Sequence, residues 1–176
     1  MADQRRKPPP IDAQAAERLA LRYVERFATS RARLASYLRR KIRERGWDGP
    51  PVDPDAIAER LAALGYVDDE AFAEARARGM RRRGLGDRRI DMALRAAGID
   101  EEVRATATEC DDETTLAAAL KFARRRHIGP FAAAVADPAL ARRQLAQMLR
   151  AGHDYQLSRR IVAMKPGEDL ALDDAD

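Results

Sequence analysis

The sequence has little of the chemistry on which disulfide-linked proteins, metal proteins and most enzymes depend. Cys110 is the single cysteine, so no disulfide can form within the chain and no paired-cysteine metal site exists. The two histidines, His127 and His153, stand apart, without carboxylates at a repeated ligand spacing. A Cys110–His127 nucleophile pair is supported by composition alone, and Cys110 is better interpreted as a small, partly buried residue at a helix end.

Phosphate-binding and membrane-spanning signals are missing as well. The sequence contains neither GxxxxGK followed by Ser or Thr nor GxGxxG. No apolar run approaches the roughly 18 residues that cross a bilayer. Residues 1–10 are charged and proline-rich, without the apolar stretch of a secretory signal. We therefore expect a cytoplasmic protein with no membrane contact, which is not an enzyme and has no catalytic residue, metal or cofactor.

Large apolar side chains are scarce, and this limits the size of any core. Leu, Ile, Val and Phe together account for 33 of the 176 residues. The 36 alanines supply the strongest helix former instead, and the net charge of only +4 argues against a disordered chain. No segment alternates apolar and polar residues at the period of a strand. The composition therefore predicts an all-α protein with small, local cores.

Helix boundaries are marked by glycine, aspartate and proline. Asp53-Pro54 and Asp137-Pro138 are helix-start signals. Four corners share one order of residues: Gly46-Trp47-Asp48, Gly65-Tyr66-Val67-Asp68, Gly98-Ile99-Asp100 and Gly152-His153-Asp154. In each, the glycine suits the left-handed position after one helix, and the aspartate suits the cap of the next. The recurrence predicts short helices turned tightly against one another, in repeat units of roughly 50 residues.

Aromatic residues form 5% of the chain, too few for a surface on which bases stack. The residues expected in the core, because they fall on apolar stripes, are Tyr23, Phe27, Phe72 and Phe122. Trp47 and Tyr66 follow corner glycines, where packing against the preceding turn is expected.

Residues 64–99 contain a distinctive series of short motifs. These are Leu64-Gly65-Tyr66-Val67-Asp68-Asp69-Glu70-Ala71-Phe72-Ala73, then Arg83-Gly84, then Arg89-Ile90, Leu94-Arg95 and Gly98-Ile99. In these motifs the segment resembles the central repeat of the RecX family, whose members regulate the RecA recombinase. The segment Ala20-Leu21, Ser30-Arg31-Ala32-Arg33-Leu34 and Leu38 resembles the first repeat of the family, and residues 141–161 resemble its third. The likeness extends, in order, over roughly residues 14–163.

The resemblance implies tandem three-helix repeats in an extended, curved array. It implies a modulator that inhibits RecA by binding in the groove of the RecA–single-stranded-DNA filament, lowering ATPase and strand exchange in recombination and DNA repair. We expect a monomer. The segments expected are a disordered basic, proline-rich arm (1–12), a partial first helical repeat (13–50), a central three-helix repeat (51–100), a third helical repeat (101–164) and a disordered acidic tail (165–176).

One residue departs from the family pattern. The first repeat commonly reads Ser-x-x-Glu-Leu, in which serine and glutamate cap a helix start reciprocally. Here Arg33 stands at the glutamate position. A cation in the first turn is disfavoured by the helix dipole, so this cap is placed in doubt.

Arginine clusters are the candidate binding residues, since 29 of the 33 basic residues are arginine. The central segment carries Arg78, Arg81, Arg82, Arg83, Arg88 and Arg89, and a second group on the N-terminal helices includes Arg39, Arg40 and Arg43. A third, smaller group is Arg124–Arg126. These side chains suit phosphates or an acidic protein surface, and contact with single- or double-stranded DNA is expected through them. A solvated helix face is the alternative interpretation.

Two further alternatives remain open. Short helices with glycine corners also occur in helix-turn-helix regulators that bind DNA, and a helical scaffold for another protein partner is possible. An acidic patch lies between the repeats at Asp100, Glu101, Glu102, Glu109, Asp111, Asp112 and Glu113. Residues 168–176 carry five acids and no base, and either screen the basic faces or add solubility.

Overall fold

The structure, a computed structural model, describes residues 9–168. Within that range are α1 (Ala13–Val24), α2 (Arg31–Arg45), α3 (Pro54–Ala63), α4 (Asp69–Arg81), α5 (Asp87–Arg95), α6 (Glu101–Thr108), α7 (Asp112–Arg126), α8 (Pro138–Arg150) and α9 (Tyr155–Ala163), with a 3₁₀ turn at Gly129–Phe131. These residues contain no strand, only an isolated bridge between Ile11 and Trp47. The all-α prediction is confirmed.

The chain divides into two units. The described residues up to Phe72, together with Ala97–Ile99, form the first unit. Ala73–Ala96 and the described residues from Asp100 onward form the second unit, so α4 contributes residues to both.

The core of the first unit lies between α1, α2 and α3. Leu34 and Leu38 of α2 pack with Ile57 and Leu61 of α3, and all four are buried. α3 begins at the predicted signal, since Asp53 accepts a hydrogen bond from the Asp55 amide. Helical periodicity thus places the apolar faces of α2 and α3 against each other.

The segment before α1 is held against the end of α2. Ile11 is fully buried. Its amide donates to the Gly46 carbonyl at 2.9 Å, and its carbonyl accepts from the Asp48 amide at 2.9 Å. Asp12 caps α1 by accepting from the Ala15 amide. Of the arm expected over residues 1–12, residues 1–8 lie outside the described range, and Ile11 and Asp12 are part of the folded unit.

The start of α2 is capped despite the missing glutamate. Ser30 Oγ accepts from the Arg33 amide at 3.3 Å and donates to the Ala97 carbonyl at 2.6 Å. Asp69 supplies the carboxylate instead, accepting from the Arg31 amide at 2.9 Å. The Arg33 guanidinium lies 5.8 Å from the Phe72 ring. A carboxylate distant in sequence therefore interacts favourably with the positive end of the α2 dipole.

The core of the second unit is built mainly from α7, α8 and α9. Phe122, Ile128, Met148 and Ile161 are buried there in one cluster. The helices begin at aspartates whose side chains accept amide hydrogen bonds: Asp111 from Thr114, Asp137 from Ala139 and Leu140, and Asp154 from Gln156 and Leu157. α7 ends at Arg126, and His127 follows it in the left-handed conformation.

The predicted corner at Gly152 meets the turn at Gly86 backbone to backbone. The Gly86 amide donates to the Ala151 carbonyl at 2.9 Å, and the Arg88 amide donates to the Gly152 carbonyl at 3.2 Å. A Cβ on Gly86 would collide with the Gly152 carbonyl, and a Cβ on Gly152, whose φ is +94°, would collide with the Arg89 amide. The close approach requires glycine on both sides.

Two aromatic predictions are wrong. Phe27 is 51% exposed and Tyr66 is 55% exposed. α1 ends at Val24, so Phe27 leaves the helical stripe. Its ring lies 5.2 Å from the Tyr23 ring and 5.7 Å from the Arg26 guanidinium. Of the acidic tail expected over 165–176, residues 169–176 lie outside the described range. No helix within 9–168 is long and apolar enough to cross a membrane.

The glycine contact can be tested with a matched pair of substitutions. We expect Gly86→Ala to destabilise the protein by about 1–3 kcal/mol, because the added methyl group has no space. Gly79→Ala should stabilise it by about 0.5–1 kcal/mol. Gly79 lies inside α4, where the nearest atom to an added Cβ is 3.8 Å away, on the flexible Arg82 side chain. Urea unfolding followed by circular dichroism measures both, and equal effects would contradict the assignment.

Candidate functional site

Arg81, one of the predicted binding residues, is an internal connection. Its side chain is only 13% exposed. It donates to Asp87 Oδ1 through Nε at 3.1 Å and through Nη2 at 2.9 Å. It also donates to the carbonyls of Ala107 at 3.3 Å and Thr108 at 2.6 Å, at the end of α6. Arg81 thus joins α4, α5 and α6, and its guanidinium is not free for a partner.

Arg78 and Arg88 are exposed but paired. Arg78 donates to Glu74 at 2.9 Å, one turn earlier on α4. Arg88 lies 3.6 Å from Asp154, which is itself at the start of α9. Both arginines are more than half exposed, so these pairs contribute little to stability. They lower the local positive charge without holding the side chains rigidly.

Arg82 and Arg83 follow α4 and are exposed, and no carboxylate of the described residues is paired with them. The Arg83 carbonyl accepts a hydrogen bond from Arg125, a member of the third arginine group. The structure therefore brings the third group next to part of the central one. Two unpaired cations on a turn can meet an anionic partner with little reorganisation.

Arg89 lines an open groove of about 600 Å³, together with Arg126 and Arg150. Leu85, Phe122, Gln147 and Ala151 complete its lining. The contact between Gly86 and Gly152 places the start of α5 beside the end of α8, and thereby sets Arg89 near Arg150. From the sequence, Arg126 belongs only to the third arginine group, and Arg150 is not among the candidate residues. The only signal for Arg150 was its position two residues before the Gly152 corner.

The three predicted residues of α2 lie in the first unit. Arg39 is paired with Asp55 of α3. Arg40 lies 3.8 Å from Glu44 and 5.7 Å from the centre of the Tyr37 ring. Arg43 is exposed. The pKa of Glu44 is lowered, chiefly by a hydrogen bond from Lys41 and also by the charges of Arg40 and Arg43. Local carboxylates thus offset part of this cluster.

Cys110 and His153 contact neighbouring groups within the second unit. Cys110 Sγ lies 3.2 Å from Thr115 Oγ1 and 3.6 Å from Asp87 Oδ2. His153 is buried, and its Nε2 donates to the Gly84 carbonyl at 3.2 Å while Nδ1 has no partner. Burial lowers the pKa of His153, outweighing the hydrogen bond to Gly84 and the charge of Asp87. Residues 9–168 contain no group of three side chains suited to hold a metal.

Comparison with known proteins gives a family match within the central segment. Residues 68–107 match the family model described as RecX, second three-helix domain. That range holds Arg81, Arg82 and Arg83, the helices α4 and α5, and all of α6 except its last residue, Thr108. A search of curated proteins found no match.

Two solved structures share the fold. The crystal structure of RecX from Lactobacillus salivarius is 21% identical, with a TM-score of 0.61, over 85% of this chain and 93% of that one. A crystal structure of regulatory protein RecX is 20% identical, with a TM-score of 0.65, over 84% of this chain and 70% of that one. At these identities the structures establish the likeness of fold.

The internal role of Arg81 makes a testable distinction between neighbouring arginines. We expect Arg81→Gln to lower the free energy of unfolding by about 1–3 kcal/mol, because Asp87 and two helix-end carbonyls lose their donor. Arg82→Gln, one residue along the chain and exposed, should change it by less than about 0.5 kcal/mol. Denaturant unfolding of both variants measures the difference. Indistinguishable stabilities would show that Arg81 contributes no more than a surface residue.

His153 predicts a pH dependence of stability. Its ordinary pKa is 6.5, and the folded value lies lower. Between the two values the unfolded chain binds more protons, so stability is complete above about pH 6.5 and falls as the pH is lowered from there. His153→Gln should flatten this fall, whereas His127→Asn, which replaces an exposed histidine, should retain it. Urea midpoints measured from pH 7 downward test this, and parallel curves for all three proteins would contradict it.

Proposed function

We propose that this chain is a member of the RecX family and that it regulates the RecA recombinase by binding the RecA–single-stranded-DNA filament. The match of residues 68–107 to the second three-helix domain carries this proposal. We propose inhibition, in which the bound protein lowers ATP hydrolysis and strand exchange in recombination and repair. A cytoplasmic monomer is proposed to act in this way, by binding and without catalysis.

The residues that support a binding role are the exposed arginines at the end of α4. Arg82 and Arg83 lie inside the matched domain, and their side chains extend from a turn that Arg81 anchors to α5 and α6. The anchoring matters because a fixed turn loses less conformational freedom when a partner binds. The other predicted positions, Arg78, Arg88, Arg89, Arg39, Arg40 and Arg43, are proposed to add positive charge that favours association.

Binding energy is sufficient for this kind of regulation. A protein that contacts several protomers of a filament gains affinity from each contact, since every further contact is made within the same complex. Arginine supplies forked donors for carboxylates and phosphates, and a filament with bound DNA presents both. The protein thus needs no cofactor to oppose the movements that accompany ATP turnover.

The test is single-stranded-DNA-dependent ATP hydrolysis by the cognate RecA, with this protein added below stoichiometry. We expect inhibition by the unchanged chain. The double variant Arg82→Glu, Arg83→Glu should need roughly tenfold more protein for the same inhibition, which corresponds to about 1.4 kcal/mol of binding energy. Arg81 is left unchanged because its loss would disturb the fold.

The matched control is Arg159→Glu, Arg160→Glu, which makes the same charge change at two adjacent exposed residues of α9. We expect this control to inhibit like the unchanged chain. Equal weakening by both double variants would show that only overall charge matters. The absence of any effect of the unchanged chain on RecA would overturn the proposal.

A further inference from the structure

Three arginines without acidic partners converge on the groove of the second unit. Arg89, Arg126 and Arg150 line it. Four other arginines of this unit, Arg78, Arg81, Arg88 and Arg104, are paired with carboxylates. No carboxylate of the described residues is paired with the three in the groove, and the groove lining contains no acid. Three uncompensated guanidiniums around one space create a site for a strong anion.

The helix dipoles partly explain the positions of Arg126 and Arg150. Arg126 and Arg150 end α7 and α8, where a cation interacts favourably with the helix dipole. The Arg126 guanidinium also lies 5.8 Å from the Phe122 ring. Arg89, however, is near the start of α5, where the dipole disfavours a cation. The dipoles therefore do not account for the cluster as a whole.

The remaining residues that line the groove are not the polar donors that a small inorganic anion would require. Leu85, Phe122 and Ala151 provide apolar surface, and the Gln147 side chain provides both a donor and an acceptor. A nucleotide combines the matching features: a charged phosphate, an apolar sugar and base face, and polar base edges. The volume of about 600 Å³ is in the range of small-molecule sites.

From this combination we infer that the groove is a nucleotide subsite for single-stranded nucleic acid. The backbone phosphate contacts Arg89, Arg126 and Arg150, while the sugar and base lie against Leu85 and Ala151. An unpaired strand is specified because the base of a duplex is stacked and paired, and cannot reach an apolar floor. The inference adds a direct nucleic-acid contact to the proposed regulation of RecA and does not depend on that regulation.

A continuing strand fits better than a free nucleotide because positive charge extends beyond the groove. Arg125 is adjacent to Arg126 in the sequence and donates to the Arg83 carbonyl. Arg83 therefore lies beside Arg125, outside the lining of the groove. Arg124, Arg125 and Arg83 are all exposed. Neighbouring phosphates of the same strand would follow these cations.

Fluorescence anisotropy of a labelled oligothymidylate, without RecA, tests the inference. We expect the double variant Arg126→Glu, Arg150→Glu to bind at least tenfold more weakly than the unchanged chain. The slope of log affinity against log salt should become shallower by about 1.4, the value for two lost phosphate contacts on a single strand. Arg159→Glu, Arg160→Glu carries the same charge change outside the groove and should bind like the unchanged chain.

The conservative variant Arg126→Gln, Arg150→Gln keeps the inference testable if charge reversal disturbs the fold, and circular dichroism checks the helices of each variant. Competitors distinguish the other occupants. Displacement by free thymidine triphosphate at equal phosphate concentration would overturn the assignment of a strand. Equal displacement by a polyglutamate peptide, or equal affinity for a duplex, would also overturn it. So would equal losses in the groove and control variants. Because RecA is absent, these results are independent of the ATPase test.

Discussion

The second unit depends on a contact that only glycine permits. Where Gly86 meets Gly152, the backbone before α5 is hydrogen-bonded to the backbone after α8, and no side chain separates them. Each peptide group in this contact satisfies a polar atom that would otherwise need water. The result is that segments more than sixty positions apart are joined without a large hydrophobic surface. In a chain with few large apolar residues, such backbone packing compensates for a small core.

The same contact organises the chemistry around it. Gly84, two residues before Gly86, approaches the backbone of Phe122, and its carbonyl accepts from buried His153. Residues of α5, α7 and α8 therefore line one space, and Arg89, Arg126 and Arg150 are assembled from three helices. Their convergence is a consequence of packing, because none of the three is close to another in sequence.

Arginine has two different roles in this protein, which differ in whether the side chain is paired with a carboxylate of the same chain. Arg81 donates hydrogen bonds inside the second unit, to Asp87 at the start of α5 and to two carbonyls at the end of α6. Arg31 donates to Asp69 in the first unit in a comparable way. Arg82, Arg83 and the groove arginines have no carboxylate among the described residues, so their positive charge is directed to solvent. A charged run in the sequence thus contains both structural and candidate binding residues.

Much of the fold was predictable from sequence because its signals are local. Alanine content, the Asp-Pro starts and the corner glycines act through nearby backbone, so the all-α class and most helix boundaries followed. The RecX resemblance of residues 64–99 was likewise contained in a contiguous segment. Tertiary structure alone decided that Asp69 caps α2, that Arg81 is internal, that Phe27 is exposed and that Arg150 joins Arg89. Phe27 is exposed because α1 ends at Val24. The other three depend on groups distant in the chain, whose proximity is set by packing and leaves no local pattern.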